Sequence, residues 1–152
     1  HLDCRRQRQM CIRDSSKGFT PAFIQQLQCS IHPDHAWWNR ESHFNHNNEA
    51  RCSAFLEMEG GVPDQFCLSF YSDILPPVVC NKFGALGWIP TITLTTHIRQ
   101  LPKTNEVYAD FRATDINKGY FEQDCNIWDL NANLVASSRQ LTRILKSEEK
   151  LS

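Results

Sequence analysis

The sequence predicts an α+β domain in which one helix lies against a long, bent, antiparallel sheet. Three observations carry that expectation. Residues 64–75 (DQFCLSFYSDIL) are apolar around most of a helical circumference. Residues 91–145 contain four period-two segments separated by short turn sequences, and links that short favour antiparallel neighbours. Two further alternating segments precede the helix, which completes a helix-on-sheet layer architecture.

The helix is the organising element. Its polar residues Gln65, Ser69, Ser72 and Asp73 fall on one narrow stripe, and Phe66, Cys67, Leu68, Phe70, Tyr71, Ile74 and Leu75 fill the rest. Such a helix is expected to be enclosed by the protein rather than to lie on its surface. Pro63 and Asp64 suit its start, and Pro76-Pro77 stop it. Asp73 is then expected in the last turn of a buried helix, where the helix dipole and desolvation both disfavour its charge. A carboxylate held against two such costs is a candidate working group.

The strands follow from alternation. In residues 21–32, Phe23, Gln25, Leu27, Cys29 and Ile31 oppose Ile24, Gln26, Gln28, Ser30 and His32. A short helix capped by Thr20 competes, but period two runs through Ile31 and favours a strand. Residues 33–48 read as a polar loop, and 51–59 as a strand with Cys52, Ala54, Leu56 and Met58 on one face. Gly60-Gly61 turns the chain into the helix. After a connector at 78–90, strands are expected at 91–101, 106–114, 118–129 and 134–145. Turn chemistry lies between them at 102–105, 115–119 and 129–133. The domain is expected at 21–146, after a poorly determined segment at 1–20 and before a frayed tail at 147–152.

Composition limits function. The 152 residues suit one domain with a real core, and 41% hydrophobic and 22% charged residues are ordinary for a globular chain. A net charge of −1 gives no electrostatic case for nucleic acid or an anionic membrane. No apolar run approaches the roughly 20 residues of a membrane helix. Arg5, Arg6, Arg8 and Arg13 have no hydrophobic segment behind them, unlike a signal peptide, and the lack of an initiator methionine suggests a fragment or processed chain. Seven cysteines without a CxxC pair, several at apolar positions, point to a reducing compartment, cytoplasmic or peroxisomal. Lys150-Leu151-Ser152 has the letters of a peroxisomal signal in the wrong order.

Three constellations bear on chemistry. Cys29, His32, His35, His43, His46 and Cys52 include two HxxH spacings, but a His-rich exposed loop explains them better than zinc, so no metal and no cofactor is expected. Asp34 and His35 with a serine or cysteine would imitate a nucleophilic triad, yet no G-x-S-x-G elbow is present, and Cys67 and Cys125 fall at positions where thiols are inert. Third, Gln140 shares its strand face with Leu134, Ala136, Ser138, Thr142 and Ile144. Its amide needs partners there. Either Asp73 caps the connector while Gln140 bridges strands, or the two hold a working water together with a residue such as Thr91.

The segments GWIPTITLTTHIRQLP and GYFEQDCNIWDLNANLVASSRQLTRIL, with the helix end SFYSDILPP, resemble the C-terminal half of bacterial type II acyl-CoA thioesterases. These are double hot-dog proteins. The resemblance runs from about residue 49 to 145 and more loosely back to Phe23. It implies a hot-dog fold and hydrolysis of acyl-CoA by a water held and activated by Asp73, Thr91 and Gln140. Thr93 and Thr95 are alternatives if the register shifts. Asn133 stands where the family has a turn glycine, and tolerates a left-handed backbone.

The family's N-terminal hot dog has no counterpart here. Its absence implies self-association or dependence on a missing N-terminal repeat, through an open sheet edge. Under that reading Arg99, Lys103 and Arg139 are raised as contacts for CoA phosphates, against the alternative that charges on a strand's outer face are simply solvated, and the connector at 84–87 is a candidate source of oxyanion donors. A non-catalytic acyl-binding or dimerisation module is the alternative function. A hot-dog dehydratase ranks last, because Asp64 has no histidine near it in sequence.

Overall fold

The computed structural model describes residues 26–37, 49–84 and 86–145. The expectations for 1–20, for the first half of the first strand, for His43 and His46, and for the tail at 147–152 lie outside the described residues. Six strands form one antiparallel sheet: β1 (Leu27–Ile31), β2 (Arg51–Met58), β3 (Thr91–Ile98), β4 (Val107–Asn117), β5 (Tyr120–Asp129) and β6 (Leu134–Arg143). Their spatial order is β1-β2-β4-β5-β6-β3. Two short helices, α1 (Gln65–Tyr71) and α2 (Val79–Phe83), lie between β2 and β3. Among the described residues no helix is long and apolar enough to cross a membrane.

One sheet face carries the core. Cys52, Ala54 and Leu56 of β2, Val107, Ala109 and Phe111 of β4, and Cys125 and Ile127 of β5 meet Leu68 and Tyr71 of α1, with Leu75 and Val78 beyond it. A smaller cluster of Val79, Phe121 and Ile144 extends it under α2. The period-two reading of 51–59 placed Cys52, Ala54 and Leu56 on the inward face, as observed. One polar residue breaks the pattern. Ser53 is 1% exposed although it faces away from Cys52, because the turn Pro33–His35 folds over that side of β2 and puts His35 Nδ1 3.0 Å from its hydroxyl.

Turns set the register where backbone geometry demands it. Lys118 and Gly119 both have positive φ, 49° and 76°, and join the paired residues Asn117 and Tyr120. Two left-handed residues match the twist of a two-residue hairpin. In the β5–β6 turn the left-handed residue is Ala132, φ 63°, and not Asn133. Asn133 serves otherwise: its backbone and side-chain nitrogens donate to the Asp129 carboxylate, at 2.9 Å and 3.0–3.1 Å. Asp129 holds the turn by charge-assisted bonds.

The structure corrects three expectations. The short link at 102–105 does not make β3 and β4 neighbours. The chain instead crosses the end of the β5–β6 hairpin, where Arg99 donates to Val135 and Lys103 to Asp129, so β3 pairs with β6 and is an edge strand among the described residues. The helix is shorter than 64–75. Asp64 caps it by accepting from Cys67 at 2.8 Å, and its last helical residue is Tyr71. Nor is the helix enclosed all round, since Phe66 is 75% exposed and Leu68 and Tyr71 alone are buried.

Candidate functional site

Asp73 follows the C-cap residue Ser72, so the end of α1 aims it. Ser72 fixes that end: its hydroxyl donates to Ser69 O at 2.7 Å and receives the Thr96 hydroxyl of β3 at 2.9 Å. The Asp73 N–H is spent on Phe70 O. The side chain is exposed, which overturns the expectation of a buried carboxylate. The physical reason is length: α1 stops before Asp73, and the chain there turns along the open rim beside β3 rather than into the core.

Thr91 reaches the same place through a sheet irregularity. It pairs with Thr142, whereas Thr93 pairs with Leu141, and the register shifts between them. The bulge at Ile92 leaves Thr91 on the inward face with Thr142 and Gln140. Thr93 and Thr95 are opposite the outward Leu141 and Arg139. Among the three threonines considered, Thr91 is the one beside Gln140.

Gln140, 4% exposed, joins the set. Its Nε2 donates to Asp73 Oδ1 at 2.6 Å and to Thr91 Oγ1 at 2.5 Å. Its Oε1 accepts from Gln123 Nε2 at 3.1 Å, and Gln123 Oε1 accepts from the Val78 N–H at 3.2 Å. Three residues far apart in sequence are thus directly linked through one amide. Sequence reading missed Gln123, Ser72 and Thr96. The signal for Gln123 was present: it is a polar residue in phase with Phe121, Cys125 and Ile127, the same anomaly that singled out Gln140.

Other candidates have different fates. His32 and His35 are near each other, ring centroids 5.0 Å apart, but among the described residues no group of three or more His, Cys, Asp or Glu gathers as a metal site would need. His35 does meet a serine, though not as a triad. Its Nδ1 also accepts the Ser53 N–H at 3.1 Å, and Ser53 is 1% exposed, where no thioester reaches it. Asp64 is occupied with capping. In the connector, the Gly84 N–H is spent on Cys80 O at 2.8 Å, which removes it as an oxyanion donor. Arg139 is gripped by Asp124 at 2.7 and 2.9 Å and lies 3.5 Å from Glu122.

His35 supplies a pH-dependent stability term. Burial first, and then neighbouring His32 and Arg51, push its imidazole down from 6.5 to about 4. Folding therefore favours the neutral ring. Its contribution is fully present above pH 6.5 and is lost as pH falls toward about 4. The urea midpoint should decline over that window, and His35→Gln should flatten the decline. An equal slope in the variant would place the effect elsewhere.

A family model described as the acyl-CoA thioesterase C-terminal domain matches residues 4–144. The chain belongs to that family. A hot-dog protein of unknown function from Alicyclobacillus acidocaldarius superposes on this thioesterase-family domain with a TM-score of 0.67 at 24% identity, covering 86% of this chain and 50% of that one. A candidate thioesterase II from Thermobifida fusca gives 0.68 at 25% identity, over 82% and 47%. The fold is the hot dog. Uncharacterized proteins of Mycobacterium bovis and Mycobacterium tuberculosis are 27% identical over 85 residues. This chain spans 29% of those curated relatives and about half of the two solved ones.

Proposed function

We propose that this domain hydrolyses acyl-CoA thioesters to free acid and CoA, using a water activated by Asp73 and oriented by Thr91 within a frame held by Gln140. The observation that carries the reading is the pair of hydrogen bonds from one Gln140 amide to both other residues. Both amide hydrogens are thereby used, so Gln140 holds the two partners in place rather than the water itself. Asp73 Oδ2 receives no hydrogen bond from another described residue, and Thr91, having accepted from Gln140, keeps its own proton to donate. A water between them is held for attack on the thioester carbonyl. Asp73 takes its proton as the C–O bond forms, and the tetrahedral intermediate collapses by breaking the C–S bond and releasing CoA thiolate, which is then protonated.

The site lies at an incomplete surface. Trp88 is 72% exposed, Ile92 49%, and Leu94 and Ile98 36% each, and among the described residues β3 lies at the sheet edge with no strand on its other side. A second hot dog on this edge, from another copy or from an N-terminal repeat outside the chain, would cover these residues and complete the acyl site. No disulfide joins the described cysteines, which is compatible with a reducing compartment such as the cytoplasm or peroxisome.

The test is thiol release from short-, medium- and long-chain acyl-CoA, with sedimentation equilibrium on the same sample. Turnover by wild type that falls at least about tenfold in Gln140→Ala, with KM little changed, supports the reading. No release from any chain length leaves the alternative, an acyl-binding or dimerisation module. A chain that is monomeric at all concentrations rules out a second copy as the covering partner.

A further inference from the structure

We infer that Gln123 is a positioning residue for this site, fixing which end of the Gln140 amide faces Asp73 and Thr91. The inference rests on the hydrolytic reading above. A backbone N–H can only donate. The Val78 N–H, on a residue with 0% exposure, points at the Gln123 side chain at 3.2 Å. The atom it meets must be the Gln123 oxygen, which leaves the Gln123 nitrogen as the end directed at Gln140, 3.1 Å away. A donor there requires the Gln140 oxygen to face it. The Gln140 nitrogen is then turned toward Asp73 and Thr91. Polarity is handed from main chain to site through two buried amides.

The arrangement has a physical consequence. The Asp73 carboxylate would also select the nitrogen end of Gln140, but it is exposed and its partner water competes for it. Gln123 and Gln140 are each 4% exposed, so their mutual bond is shielded from such competition. Gln123 thus holds Gln140 in place when substrate or water changes the occupancy around Asp73. It also ties the connector after Pro77 to the strand pair β5–β6 by the Val78 bond, so the end of the chain segment carrying Asp73 and the strand carrying Gln140 share one anchor.

A purely structural glutamine would explain the Val78 bond alone, so the test separates the two bonds. Gln123→Glu keeps an acceptor for Val78 and replaces the donor toward Gln140 with oxygen. Gln123→Met removes both. The expected result is a fall in kcat of about tenfold or more for each, with KM within about twofold, since one buried amide bond is lost on the side facing the site. In a Gln140→Ala background, Gln123→Met should change kcat by less than about twofold, because the residue it acts through is gone. A kcat near wild type in both variants, or the same fall with and without Gln140, overturns the inference. Crystal structures of wild type and Gln123→Met give a readout independent of turnover. In neutron maps, which locate the amide hydrogens, loss of the Gln140 N–H contact to Asp73 or Thr91 is expected, and a Gln140 amide still donating to both refutes the role even if wild type proves inactive. Inactivity of wild type with a displaced amide would sink the hydrolytic reading alone.

Discussion

Asp73→Asn should lower kcat for acyl-CoA by about a thousandfold, within the range general-base catalysis supplies. The substitution is almost silent structurally. Asparagine keeps an oxygen to accept from Gln140, the bond seen at 2.6 Å, and residue 73 is exposed, so no core contact is disturbed. What disappears is the oxygen that, in the proposed mechanism, takes the proton from water. Thermal unfolding of the variant should match wild type within the scatter, while thiol release falls to the background rate. Most of the activity surviving in a folded Asp73→Asn protein would remove this carboxylate as the base. The comparison with Gln140→Ala adds a second discriminator. Losing the holder should reduce turnover less than losing the base, because orientation is degraded rather than proton acceptance abolished.

The largest loss of stability should come from Phe111→Ala. Phe111 is fully buried on β4 at the centre of the sheet. It sits opposite Cys52 of β2 and Cys125 of β5, in the core beneath α1. Removing its ring leaves a cavity that neighbouring strands cannot close, at a cost of about 3–5 kcal/mol. Against a total of about 5–15 kcal/mol for a domain of ordinary stability, that is a large share. Urea denaturation followed by tryptophan fluorescence should show the midpoint moved sharply down. A shift corresponding to less than about 1 kcal/mol would mean that the core beneath the helix repacks freely.

The sheet was legible because its strands are half-buried. Alternation in residues such as Cys52, Ala54 and Leu56 carries burial directly into sequence, and Gln140 stood out as a polar side chain in an apolar phase. Asp64 at the helix start was legible too, since capping is local. The extent of α1 was not. The apolar residues Phe66 and Ile74 prolonged the helical pattern, although Phe66 is exposed and Ile74, past the helix end, packs on the core from an irregular segment.

The sequence alone determined the α+β class and the inward face of β2, and through likeness to a known family it nominated the three residues on which the proposed chemistry depends. Tertiary structure decided the rest. It sent β3 to the sheet edge beside β6, used a bulge at Ile92 to bring Thr91 and not Thr93 to Gln140, and put Gln123 behind them as an anchor. The reason is range. Periodicity records which side of an element is buried, whereas strand partner, register and amide orientation depend on atoms that meet only after distant segments have packed.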